Sequence, residues 1–416
     1  MRSNLFVVLA LVATTSSVFA REDLDRWVGQ LGSSSAAARA EAACAIGRLG
    51  FRAESAVPAL VGLLGDGAAV TELECRRGGW GGDADRETSP GQQAAVALAD
   101  VGIASFPPLV NALEHVSPTV RRNAALGLGR LEDERAAGPL VKRLDDGMPA
   151  VREQVAWALG RIESAEAVMP LAVVLKRDDQ ERVREQAAWA LGRIGDSRAV
   201  APLIEGLRDR GARVREQSAW ALGRLDAREA GAALTKAMTD SEARVREQAS
   251  WALGRIEDRG ALPALIRGLE DASEKVREQA AWALGRLGDD AGVAALIRGL
   301  EDDNANVREQ SAWALGRIES KASTKALTSS LSDPNANVRQ QSAWALGKIE
   351  DASATESLVA ALSDPNAHVR EQAAWALGKL RDARAVDALG AALGDDNANV
   401  REQAAWALGR LARGGR

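Results

Sequence analysis

From Val151 onward the apolar positions follow a fixed design, a twelve-residue block V-R-E-Q-x-A-W-A-L-G-[RK]-[IL] that recurs nine times with almost no change. Its tryptophans stand at Trp157, Trp189, Trp220, Trp251, Trp282, Trp313, Trp344, Trp375 and Trp406, at an interval that is constant from Trp189 onward. Such a period means supersecondary units stacked in one dimension, because no unit can bury its apolar face alone. Each period holds two helical patterns. In residues 199–207, Val200, Leu203, Ile204 and Leu207 share one helical face, with Pro202 in the first turn, where its missing N–H is not needed. Residues 208–211 break that helix, and Val214 starts a second one running to Leu225. Elsewhere the break reads Ser332-Asp333-Pro334-Asn335 or Ser363-Asp364-Pro365-Asn366, typical turn and N-cap chemistry. The pattern predicts one helical hairpin per period.

At about 100° per residue, Val214, Ser218, Ala221, Leu222 and Leu225 of the second helix fall in one sector and form the predicted core. Glu216, Gln217, Trp220 and Arg224 fall on the far side. The tryptophan therefore points away from the core of its own hairpin. Degenerate units precede the nine: residues 39–49, 92–101 and 120–131 align with the block and carry Cys44, Val96 and Leu126 at the tryptophan position. The division expected is a leader at 1–20, degenerate hairpins at 21–131 with an inserted loop at 67–89, near-identical repeats at 132–411, and a tail at 412–416.

The block V-R-x-x-A-A-x-A-L-G-x-[IL], followed by a short turn and A-V-x-x-L-[IV]-x-x-L, resembles the HEAT-like repeats first described in phycobilisome (phycocyanobilin) lyases. It is also similar to consensus scaffolds built from such repeats as artificial binders. The resemblance covers nearly all of the chain after the leader. It implies an all-α fold, a right-handed α-solenoid of about twelve hairpins whose second helices line a concave surface. The positions it assigns to solvent or ligand are Glu216, Gln217, Trp220 and Arg224, with Glu247, Arg255, Glu278, Arg286 and the other tryptophans as their equivalents. The helical angles single out the same four positions independently.

Composition and the termini narrow the function. A net charge of −5, with Lys and Arg interspersed among Asp and Glu, gives no basic stripe for nucleic acid. Arg2, the apolar run from Leu5 to Ala13, and Val18-Phe19-Ala20 read as an export signal cleaved after Ala20. The run is too short to span a membrane, so the mature chain is expected in the periplasm or outside the cell without stable membrane insertion. The only cysteines are Cys44 and Cys75, the latter in the inserted loop, whose Gly78, Gly79, Gly81 and Gly82 flank Trp80. In an exported protein such a pair suggests a disulfide stapling the loop over the second-helix face, the alternative being two free thiols.

Nine indoles in register would expose more apolar area than monomers tolerate, unless a ligand or a cover hides them. One reading is a groove for a protein or peptide partner. The other is a self-satisfied ladder, in which each Trp stacks on the Arg that follows it one helical turn later. Some relatives attach bilins, or use His-Glu pairs as di-iron hydroxylases. This chain has only His115 and His368, about eight repeats apart and read as solvated. It has no phosphate loop, metal-ligand spacing or nucleophile with a recognisable base. The expectation is a non-catalytic scaffold without metal or cofactor. The alternatives are lyase-like or other protein-modifying chemistry, as in some relatives, and a purely structural repeat protein. After Trp406 no polar capping repeat follows, so the last hairpin either frays or offers an open end to a partner or another copy.

Overall fold

A computed structural model describes residues 23–71, 73 and 87–414. The expected leader, Cys75 and Trp80 lie outside the described residues. Its contacts divide the chain into two compact units, Met1–Gly206 and Leu207–Arg416. In the first, a helical segment at 23–30 is followed by the long helices Ala36–Arg48, Pro90–Val101, Pro118–Leu131, Pro149–Ile162 and Glu181–Ile194. Shorter helices alternate with them, from Val57–Leu63 to Val200–Gly206. The second unit runs from the long helix Ala212–Arg224 to Ala398–Gly414 and has the same alternation, with a 3-10 turn leading into each short helix. Within each unit successive long helices pack on one another and, from Pro90–Val101 to Glu181–Ile194 and from Ala243–Arg255 onward, each on the short helix that precedes it, the stacking of an α-solenoid. Among the described residues the only extended pairing is one antiparallel bridge, Val70 to Thr88.

The predicted core sector holds. Val214, Ser218, Ala221 and Leu222 are fully buried, as is Ala219, while Leu225 is half-buried. Alanine and serine dominate this face because two long helices meet there. Small side chains let the backbones approach, and leucines from the short helices, such as Leu234 and Leu265, close the remaining side. The last helix continues to Gly414, so residues 412–414 are helical and not a separate tail. Ala412 and Arg413 are good helix formers, and no left-handed turn stops the helix before them.

A rung of hydrogen bonds, absent from the sequence reading, ties successive hairpins within each unit. The Arg of V-R-E-Q sends Nη1 to a carbonyl of its own turn and its remaining N–H groups to the Asp of the following turn. Arg277 donates to Asp271 O (2.9 Å), to Asp302 Oδ2 through Nε (2.6 Å) and to Asp302 Oδ1 through Nη2 (2.9 Å). Asp302 Oδ1 also accepts from the Asn304 N–H at 2.9 Å. The same rung joins Arg215 to Asp240, Arg246 to Asp271, Arg308 to Asp333, Arg339 to Asp364 and Arg370 to Asp395. In the first unit it joins Arg121 to Asp146 and Arg152 to Asp178. It also joins Arg39 to Asp66, just before the insertion. Burial pushes the Asp240, Asp271 and Asp302 carboxyls up, but the hydrogen bonds from arginine and backbone outweigh it and hold them below the usual carboxylate range.

Candidate binding surface

Each tryptophan sits on the outer flank of its long helix, as the angles require, yet the row is not an open stripe. Trp157 through Trp375 are half-buried; Trp406, at 38%, is the exposed one. The cover is the preceding repeat. Within each unit the glycine of the preceding A-L-G stands opposite the indole, and a methyl group built on Gly254 would lie 2.7 Å from Cζ3 of Trp282 and 2.8 Å from Cα of Ala283. Gly129, Gly160, Gly223, Gly285, Gly316, Gly347 and Gly378 face Trp157, Trp189, Trp251, Trp313, Trp344, Trp375 and Trp406 in the same way. The glycine leaves bare backbone on which the six-membered ring rests, and the two together set the helix spacing. The large exposed apolar area expected from the sequence is reduced for this reason.

Two further kinds of contact hold rings of the row. Where an Arg follows one turn later it lies over the ring, 5.4 Å from the centroid at Arg224 and Trp220 and 5.8 Å at Arg255 and Trp251. Arg286 over Trp282 (6.0 Å) and Arg317 over Trp313 (5.9 Å) repeat the contact. Each exposed contact of this kind contributes about 0.5–1 kcal/mol. The same cation then reaches back to the residue that ends the preceding long helix: Arg286 to Glu257 (2.6 Å), Lys348 to Glu319 (2.7 Å), Arg193 to Glu163 (2.5 Å), Lys379 to Glu350 and Arg161 to Glu132. Those glutamates occupy left-handed backbone, with φ between 51° and 60°, a conformation that glycine adopts at least cost. Glutamate there is held by its carboxylate's reach to the next repeat.

Glu216, Glu247 and Glu278 and the amide of Gln217 are half-buried beside the indoles, with Arg213, Arg244 and Lys275 exposed next to them. Burial raises the Glu216 and Glu247 carboxyls above the usual range, and Glu247 acting on Glu216, like Glu278 on Glu247, adds to it; Arg244 opposes both. The surface is thus a lattice of alternating charge over the edges of packed rings.

The N-terminal units show this face occupied. Ala37, Ala40 and Cys44 align with Arg213, Glu216 and Trp220, and they are covered by Val70 and Leu73 of the inserted segment. Cys44 is 4% exposed, with Sγ 3.5 Å from Gln93 Oε1, and Val96 and Leu126 at the same position are buried as well. Thr88, paired with Val70, accepts a hydrogen bond from Gln93 Nε2 at 2.9 Å. Neither histidine joins a site: His115 Nδ1 accepts from the Ser117 N–H, and His368 lies 3.7 Å from Glu371. Among the described residues no group of side chains could hold a metal ion, and no helix is long and apolar enough to cross a membrane.

Comparison with known proteins gives one family. HEAT repeats match residues 83–148, 137–222, 200–271, 262–332 and 324–409. No curated protein matches. Among solved structures, the chain is similar over 94% of its length to an engineered protein, at 21% identity, a TM-score of 0.46 and 99% of that chain covered. It is likewise similar over 94% of its length to a chain from the structure of Kap95p binding to RanGDP, at 16% identity and a TM-score of 0.59. It spans 60% of that second chain, a likeness of fold.

Proposed function

The chain belongs to the HEAT repeat family, and from that premise we propose a non-catalytic, exported scaffold that binds a protein or peptide partner on its long-helix face. The observation carrying this reading is the occupied face at the N-terminal end. There the chain lays its own extended segment, through Val70 and Leu73, over the positions that later repeats fill with Arg, Glu and Trp. A surface that accepts one extended segment in this register has the same backbone scaffold in every following hairpin of its unit. Charge of both signs beside aromatic edges is the composition of contact surfaces where specificity comes from polar pairs and affinity from ring area. The test is affinity capture from the exported fraction with wild type and with Glu247→Lys/Glu278→Lys. Those side chains stand at the solvent edge, so loss of the partner with unchanged helicity supports the reading. Equal capture by both sinks it.

A purely structural role is the second reading, and the nesting of each indole on the preceding glycine favours it. The two differ in one respect: a structural ladder tolerates the charge reversals without losing a partner. Export of the chain rests on the leader-like residues 1–20, and Arg21 as the first residue of the secreted chain, by N-terminal sequencing, tests it. A Cys44–Cys75 disulfide is part of the same proposal, supported by the lack of a free thiol among the described cysteines. A mass unchanged by alkylation without reductant agrees with it, and two added alkyl groups contradict it. Protein-modifying chemistry of the lyase kind is the family-derived alternative, to be decided by a bilin-transfer assay.

A further inference from the structure

The rung between the cation of one long helix and the residue ending the preceding one is satisfied within the chain at Glu132, Glu163, Glu257, Glu319 and Glu350. In register with them, the helix Ala367–Leu380 ends instead at Arg381, in the same left-handed conformation (φ 55°) and exposed. The cation due to meet it is Arg410, which follows Arg381 at the same separation as Lys379 follows Glu350. By register, two guanidinium groups therefore stand where those five rungs hold one cation and one carboxylate. Arg410 lies over Trp406, 5.3 Å from the ring centroid. Trp406 is the most exposed indole of the row, at 38%. The nearby acids are committed elsewhere: Asp382 to Arg384 (2.5 Å) and Thr355 (2.9 Å), and Glu350 to Lys379.

We infer that Arg381, Arg410 and the edge of Trp406 form a docking site for a carboxylate of a partner peptide, which supplies the acid missing from this rung. The inference rests on the long-helix face being the binding surface and names one of its anchor points. Two guanidinium forks accept a carboxylate as several parallel charge-assisted bonds, and the indole edge offers apolar contact to the adjoining methylenes. An acidic peptide segment satisfies both. Arg401, exposed on the same helix and bonded only to the carbonyls of Asp395 and Asp396, adds positive potential for steering it.

The test is fluorescence anisotropy of a fluorescein-labelled octaglutamate peptide titrated with the full chain at low salt. Wild type is expected to bind, more weakly as salt rises. Arg381→Glu places in this position the residue that occupies it in five other rungs, so it should pair with Arg410, keep or raise the melting temperature, and weaken the peptide at least about tenfold. Arg259→Glu, the same charge change at an exposed site of another hairpin, should leave binding unchanged. No binding by wild type, equal binding by Arg381→Glu, or an equal loss in Arg259→Glu overturns the inference. Tighter binding of an equally charged oligothymidylate, lost in Arg381→Glu, replaces the carboxylate by phosphate and overturns it too. None of these outcomes alters partner capture through Glu247 and Glu278, so the two readings fail separately.

Discussion

Two glycines in the same sequence context, W-A-L-G-R, separate helix propensity from repeat packing. At Gly254 an added methyl group meets Trp282 Cζ3 at 2.7 Å and the Ala283 backbone at 2.8 Å; at Gly409 it meets nothing within 4 Å. Both positions are helical with ordinary φ, so Gly→Ala contributes up to about 1 kcal/mol of helix propensity at either one. At Gly409 that gain stands alone, and the variant is predicted to stabilise the last hairpin by roughly 0.5–1 kcal/mol. At Gly254 the new carbon must displace a ring held on its other side by Arg286 and a backbone that cannot yield. Overpacking of this kind costs about 1–3 kcal/mol and the propensity gain of up to about 1 kcal/mol offsets part of it, leaving a net loss of up to about 2 kcal/mol. Urea unfolding followed by circular dichroism, with hydrogen exchange of the two helices, reads both changes locally, as a repeat array requires. Equal effects at the two sites, or stabilisation by Gly254→Ala, would refute the nesting of indole on glycine.

The arginine–aspartate rung predicts that Arg277→Ala lowers stability by about 1.5–3 kcal/mol, the range for hydrogen bonds to charged groups. Arg277→Lys should restore little in thermal melts, because an ammonium cannot donate in two parallel bonds to Asp302. The Asp240, Asp271, Asp302, Asp333 and Asp364 carboxyls are held below the unfolded value near 3.9 by their arginine and backbone hydrogen bonds. Their contribution is therefore complete above that pH and lost as pH falls through the folded values, so a pH series should show steep acid unfolding that begins only below about pH 4. Glu247 has the opposite sign: burial raises its pKa, its ionised form opposes folding at neutral pH, and protonation on acidification relieves it. Glu247→Gln, with the residue that Gln340 already supplies in register, should raise the melting temperature at pH 7 and leave it nearly unchanged at pH 4. Acrylamide quenching should fall more in Trp406→Phe than in Trp282→Phe, since only the former ring is exposed.

The period, the hairpins and the outward set of the tryptophans were legible because each depends on residues within one repeat. Val214, Ser218 and Leu222 declare their face by spacing alone. What lies between repeats was not legible. A helical wheel gives the direction of Trp220 relative to its own core but says nothing of the neighbouring helix, so an open groove and a covered ladder both stood. The glycine of A-L-G carried no chemistry to single it out, though its fixed place relative to the tryptophan of the next repeat was a usable signal. The same holds for Arg277 and Asp302, which belong to successive hairpins: the Asp looked like turn chemistry, which it also is, and its second partner comes from the repeat before it. The placing of the insertion over Cys44 was expected from its cysteine pair, whereas Val70 and Leu73 as the covering residues are recorded by no periodicity.

The central claim, that the long-helix face holds the partner, is tested most directly by photo-crosslinking in the exported fraction. A benzophenone amino acid would be placed either at Arg244, exposed on the long-helix face, or at Arg267, exposed on a short helix. The account predicts a discrete adduct from position 244 and none from 267. An adduct from 267 alone, or the same adduct from both, would contradict it.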